Sequence, residues 1–242
     1  MNYQPRMRMF AGPNGSGKST IKSVIDSSLL GYYINPDEIE KELIEKGSFN
    51  LQLLPFTVTP SEIVDFFKNS GLYPKLLIDL NANDLQVDDN KLFFIKIAIN
   101  SYVSAILSDF LRHKFLENKI SFTFETVMSS EDKVTLLAKA QSLGFKTYLY
   151  YVSTDDPQIN IARIASRVYF GGHDVPRDKI VSRYYRSLSL LFEAIKHTNR
   201  AYLFDNSGRS KRFIASINNG YELDIQIDTV PEWFEKYVMR KI

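Results

Sequence analysis

The run Gly12-Pro13-Asn14-Gly15-Ser16-Gly17-Lys18-Ser19 constrains this chain more than any other stretch. Its glycines allow backbone reversals that a Cβ would resist. Reversals of that kind turn successive N–H groups inward toward an anion. The spacing is that of a phosphate-binding loop, in which Lys18 reaches the terminal phosphates and the Ser19 hydroxyl takes a place on Mg²⁺. The loop follows the apolar run from Met7 to Ala11. It leads into Thr20-Ile21-Lys22-Ser23-Val24-Ile25, which reads as the first turns of a helix whose N-terminus adds partial positive charge. A plain glycine–serine turn is the competing reading, and the strand–loop–helix setting argues against it. The expected ligand is a nucleoside triphosphate held by Gly12 through Thr20.

Size and composition bound the rest. With 242 residues, 44% of them hydrophobic, the chain can bury a full core and fits one domain with an inserted segment at about 48–90. The formal charge of +2 is close to neutral, so no extended nucleic-acid or anionic-membrane surface is expected. There is no cysteine, which excludes disulfides and thiolate metal sites and fits a reducing compartment. With only three histidines, a zinc site is not expected either. The first residues, Met1 to Arg8, have no apolar signal-like core, and no run is long enough to span a bilayer. These features predict a soluble, cytoplasmic protein.

Strand-like and helix-like segments alternate. Gly31 to Asn35 predicts a second strand, and Asn35-Pro36-Asp37-Glu38 reads as a helix start with Asn35 as N-cap and Glu38 placed for a capping box. That helix runs to about Lys46. Thr59-Pro60-Ser61-Glu62 begins another, and the apolar spacing from Lys91 to Leu116 predicts a long helix. Ser121 to Glu125 and Thr147 to Val152 read as strands, with a helix from about Ser130 to Leu143 between them. Helices from Asp155 to Tyr169 and from Arg177 to His197 flank Gly171-Gly172, Ala201 to Asp205 is a further strand, and Leu223 to Ile227 adds an edge. The alternation predicts an α/β three-layer sandwich, a mostly parallel sheet with helices on both faces.

Several side chains are placed for chemistry. Asp37 stands just past the second strand, where a carboxylate can face a ligand and accept a hydroxyl proton. Equally, it can complement the helix dipole, worth about 0.3–1 kcal/mol. Glu125 ends its strand and is positioned either for a substrate hydroxyl or Mg²⁺ water, or as a solvated strand end. Leu76-Leu77-Ile78-Asp79 has the textual form of a Walker B strand amid turn-forming residues. Arg163 and Arg167 lie one helical turn apart, as do Arg183 and Arg186, and with Arg177 they surround the Gly171-Gly172-His173-Asp174 turn. The pattern suits a lid that closes over phosphates. Asp205-Asn206-Ser207-Gly208 is either a nucleotide-base contact or a turn.

Taken together, these residues resemble the zeta toxin family of P-loop kinases, in the branch described as predicted small ATPases. The matching text is Ala11 to Thr20, Ile34 to Glu38, Phe122 to Thr126, Ala162 to Val168, Gly171 to Pro176, Arg183-Tyr184 and Asp205 to Ser207. The resemblance implies a P-loop NTPase fold with an arginine-bearing lid. It implies transfer of the ATP γ-phosphoryl group, with Mg²⁺, to a small-molecule hydroxyl such as a UDP-N-acetyl sugar, and an antitoxin protein as partner. By position, Lys18, Asp37, Arg163 and Arg167 would be catalytic, with Asp37 the base. Ser19 would bind the metal, and Glu125, Thr126 and His173 would contact substrate. The stretch from Ser48 to Asn90 departs from the family pattern and motivates a rival reading, a nucleotide-gated binding module for a protein partner. A third reading is a kinase for a nucleic-acid end or an antibiotic hydroxyl, the near-neutral charge weighing against nucleic acid.

Overall fold

Strand β1 (Arg6–Ala11) runs through the middle of a seven-stranded sheet and delivers the glycine-rich loop at its carboxyl end. The computed structural model describes residues 4–20, 25–172 and 174–242. In it, β1 pairs in parallel with β6 (Phe122–Thr126) on one side and β7 (Lys146–Ser153) on the other. β8 (Arg200–Asp205) continues the parallel run beyond β7. β9 (Arg212–Asn218) and β10 (Glu222–Ile225) then finish that edge antiparallel. β2 (Tyr32–Ile34) closes the far edge, giving the order β10-β9-β8-β7-β1-β6-β2. From β1 the chain first builds to one side and later to the other. The order therefore reverses at β1, the switch point at which open α/β sheets gather ligands.

Why these runs are strands follows from burial. Met7, Met9, Phe122, Phe124, Leu149, Tyr151 and Leu203 are wholly buried. Each such side chain contributes about 1.5–3 kcal/mol by leaving water. Helices α4 (Asp132–Ser142), α5 (Pro157–Tyr169), α6 (Arg177–Lys196) and α7 (Glu232–Tyr237) complete the layers, a three-layer α/β sandwich of the P-loop NTPase type. α4 ends in a left-handed turn at Gly144 (φ 87°), after which Phe145 donates its N–H to the Ala140 carbonyl and buries its ring. The arms of the arginine-rich hairpin share a small core of their own, in which Ile164 of α5 meets Val175 and Ile180. Among the described residues, no helix is long and apolar enough to cross a membrane.

The chain forms two compact units, residues 1–32 with 121–242, and residues 33–120. The second holds α1 (Pro36–Lys46), β3 (Phe49–Asn50), α2 (Pro60–Asn69), β4 (Leu85–Asp88), β5 (Lys91–Phe94) and α3 (Ser101–Glu117). Its three strands make a small antiparallel sheet in the order β3-β5-β4. Phe67, Leu92, Val103, Leu111 and Phe115 fill its core. α2 opens with a full capping box: Thr59 Oγ1 accepts from the Glu62 N–H, and the Glu62 carboxylate accepts from the Thr59 N–H at 2.9 Å.

Three expectations need correction. The predicted helix from Lys91 to Leu116 is a strand, β5, followed by a separate helix, because Asn100 caps α3 by accepting from Tyr102 N and Val103 N. Leu76 to Asp79 is no strand. A 3₁₀ turn at Tyr73–Leu76 ends in a left-handed Leu77 that is 91% exposed, and Asp79 lies in solvent opposite Lys68. β9 was not anticipated at all, its apolar alternation being diluted by Ala215 and Ser216. The helix expected from Thr20 onward lies partly outside the described residues, and residues 18–20 form a 3₁₀ turn.

Candidate phosphate-binding site

The loop after β1 alternates hand. Gly12 has φ 143°, Gly15 φ 76° and Gly17 φ 95°, while the residues between them keep negative φ. Alternation of this kind makes the concave array of N–H groups that receives anions. Each glycine is also forced by what lies behind it. A Cβ at Gly12 would come within 2.1 Å of the Val152 carbonyl oxygen, one at Gly15 within 2.7 Å of the Asn160 carbonyl oxygen, and one at Gly17 within 2.4 Å of Asn206 Nδ2. The loop is thus wedged against the carboxyl end of β7, the first turn of α5 and the segment after β8.

Side chains from two of these neighbours hold its backbone. Asn160 Nδ2 donates to the Asn14 carbonyl at 2.6 Å, and its own Oδ1 accepts from Thr154 Oγ1. Asn206 Nδ2 donates to the Ser16 carbonyl at 2.8 Å, while its backbone N–H pairs with the Ser153 carbonyl. Lys18 lies back across the loop, its ammonium donating to the carbonyls of Gly12 (2.9 Å) and Pro13 (3.1 Å). The Thr20 hydroxyl donates to the Gly17 carbonyl and accepts from Lys211 Nζ at 3.2 Å. Burial holds the Lys211 ammonium below the usual lysine range, and the side chain reaches Thr20 across the Phe204 ring. Ser19 is exposed at the end of the loop.

At the neighbouring strand ends, Glu125 pairs across the sheet with Phe10 and is buried. Thr126 pairs with Ala11, the residue before the loop, and its Oγ1 accepts from Met128 N. On α5, Arg163 is half-buried and donates through Nη2 to the Gly208 carbonyl at 3.3 Å. One turn on, Arg167 is exposed, and Gly172 folds over it with its N–H on the Arg167 carbonyl. Arg177 donates to Gln158 Oε1 and so ties α6 to α5. Arg183 is half-buried and Arg186 exposed. His173 lies outside the described residues. Asp37 belongs to the second unit, exposed in the first turn of α1, where its N–H donates to the Asn35 side chain.

A polar network anchors the carboxyl end of β8. The buried Asp205 carboxylate accepts from Trp233 Nε1 at 3.0 Å, from Ser207 Oγ at 2.8 Å and from Arg212 at 3.3 Å. Desolvation, then the Asp205 charge, raises the nearby Asp155 carboxyl above its ordinary range. Tyr184 donates to the Thr154 carbonyl at 2.6 Å, and burial pushes its phenol up.

Of the residues singled out in the sequence, Glu125 and Thr126 end the strand that pairs with β1, and Arg163 lies one turn along α5 from Asn160, which binds the loop. Sequence reasoning missed Thr154, Asn160 and Lys211, whose roles depend on which oxygen each one reaches. Asp205 to Gly208 is a turn, as one reading had it, but Asn206 also braces the loop.

A nucleoside triphosphate suits this donor set. Ser16 Oγ in the loop and Arg163 Nη1 on α5 are buried donors with no protein hydrogen-bond partner, and buried polar groups ordinarily have one. The exposed Ser19 hydroxyl suits Mg²⁺, which leans on few protein oxygens and keeps waters and substrate phosphates as its other ligands.

Fold and loop together define a protein of the P-loop NTPase type, a three-layer α/β sandwich with a glycine-rich loop after its central strand. No protein-family model matches the chain. It is 32% identical over 189 residues to a protein of Haemophilus influenzae described as uncharacterized, covering 75% of this chain and 94% of that one, and the two belong to one family. Among solved structures, the AvrRxo1-ORF1:AvrRxo1-ORF2 complex with sulfate ions overlays 98% of this chain with a TM-score of 0.60 at 15% identity. The same complex with ATP gives a TM-score of 0.59, also at 15% identity. This chain spans 64% of the length of the chain it overlays there, and at that identity the likeness is one of fold.

Proposed function

We propose that the protein is an ATP- and Mg²⁺-dependent kinase that phosphorylates the hydroxyl of a small molecule, in the manner of the zeta toxins, with a UDP-N-acetyl sugar as the leading acceptor. The observation that carries the reading is the wedged, alternating-hand loop with Lys18 inside it and Arg163 beside it. It draws support from the ATP held by the AvrRxo1 complex of similar fold. The acceptor oxygen forms a bond to the γ-phosphorus as the β–γ bridging bond breaks, and ADP leaves. On the family resemblance, Asp37 takes the hydroxyl proton. Lys18 exchanges its loop carbonyls for phosphate oxygens, and Arg163 and Arg167 meet charge on the transferring group, the dominant need of this chemistry. Mg²⁺, when bound through Ser19, neutralises the phosphates. Glu125, Thr126 and His173 orient the acceptor.

The test is mass-spectrometric detection of product with ATP and UDP-N-acetylglucosamine. Lys18→Ala is expected to abolish product and Asp37→Asn to reduce it at least a hundredfold. Full activity of Asp37→Asn removes the assigned base. No product across a panel of nucleotide sugars removes that acceptor class. The two-protein composition of the AvrRxo1 complex favours a protein partner for this chain as well, an antitoxin or the target of a nucleotide-gated module. Pull-down that depends on ATP, without any phosphorylated small molecule, would select the second of these.

A further inference from the structure

A loop that points its N–H groups inward must turn carbonyls outward, and each carbonyl buried there needs a donor. Two outward carbonyls of this loop, those of Asn14 and Ser16, are met by asparagine amides from opposite sides, Asn160 Nδ2 at 2.6 Å and Asn206 Nδ2 at 2.8 Å. They flank Gly15, the residue whose positive φ starts the second reversal. Both amides are themselves fixed. Asn160 is wholly buried, and the Thr154 hydroxyl, donating to its Oδ1, selects the orientation that leaves Nδ2 facing the loop. Asn206 is held through its backbone by Ser153. A carboxylate of the same shape would set two oxygen atoms against each other at either position.

We infer that Asn160 and Asn206 are a pair of positioning residues that hold the loop in its anion-receiving shape, and that Asn160 joins this shape to the arginine helix. Asn160 and Arg163 lie one turn apart on α5, and the Asn160 carbonyl backs Gly15 while its side chain binds Asn14. A shift of the loop therefore moves the first turn of α5, and Arg163 with it. The inference rests on the reading of the loop as a nucleotide-phosphate site.

Titration calorimetry with tripolyphosphate and with ATP, on wild type, Asn160→Asp and Asn206→Asp, tests it alongside hydrogen exchange of the peptide covering residues 10–20. Each variant is expected to bind tripolyphosphate ten- to a hundredfold more weakly, the scale of a buried carbonyl left facing an oxygen. Exchange should speed up in that peptide and stay unchanged in those covering β8 and α6. Asn206 is only half-buried, so Asn206→Asp keeps the test available if Asn160→Asp does not fold. Wild-type affinity in a folded variant overturns the inference while leaving the kinase reading intact. Faster exchange across the whole sheet also overturns it, as general destabilisation. Failure of wild type to bind either ligand overturns both.

Discussion

Replacing Gly12 by alanine should cost far more than a surface glycine substitution, for reasons separable in the laboratory. The new Cβ would meet the Val152 carbonyl oxygen at 2.1 Å and Ser16 Oγ at 3.0 Å. The first is backbone of a buried strand and cannot step aside. Holding a non-glycine residue at φ 143° adds strain of about 1–3 kcal/mol. Forcing a methyl into packed surroundings adds another ~1–3 kcal/mol. Together these give roughly 2–6 kcal/mol, a large share of the ~5–15 kcal/mol that holds a typical domain together. Gly144 supplies the control, since it also has positive φ but nothing within 4 Å of its would-be Cβ. Gly144→Ala should show the strain alone. At about 2–4 °C per kcal/mol for a chain of this size, Gly12→Ala should melt roughly 2–12 °C below Gly144→Ala, read by circular dichroism at equal concentration. Equal melting points for the two variants would refute the argument that β7 dictates this glycine.

Other outcomes follow from the same geometry. Lys114 holds the Glu62 carboxyl below its ordinary 4.5. The pair's contribution is therefore present above that value and lost as pH falls through the lowered one. Lys114→Met should cost below about 1 kcal/mol at neutral pH, and nothing once Glu62 is protonated, by urea titration at several pH values. Asp155 has the opposite sign. Its raised carboxyl favours the fold when protonated, and that advantage disappears as pH rises through the raised value, so Asp155→Asn should stabilise at pH 7 and lose its benefit in acid. Thr59→Ala removes one half of the α2 capping box and should cost about 1 kcal/mol. Tyr184→Phe should cost about 0.5–1.5 kcal/mol, because the Thr154 carbonyl keeps a longer contact from Ser153 Oγ.

How much was legible beforehand depended on whether the signal was local. The glycine-rich loop, the Asn35 and Thr59 helix starts, and the strands around Phe122 and Thr147 all carry their cause within a few residues, and all appear where the pattern put them. Phe93, Phe94 and Ile95 suit either period, and only the bonds made by Asn100 reveal where the helix begins. Leu76 to Asp79 copies the text of a strand, but no neighbour accepts it as one. The site divides the same way. Lys18 and the glycines announce themselves, whereas Asn160 looks like any helix asparagine until Asn14, 146 residues away, is set beside it.

The Asp205 network has a practical use. Trp233, the sole tryptophan of the sequence, donates its indole N–H to Asp205, and the next residue in the chain is Asn206, whose amide holds the loop. Indole emission responds to the charge and hydrogen bonding around the ring. The protein thus carries a built-in fluorophore two hydrogen-bonded links from the phosphate loop, suited to stopped-flow measurement of ligand arrival without a dye or a label.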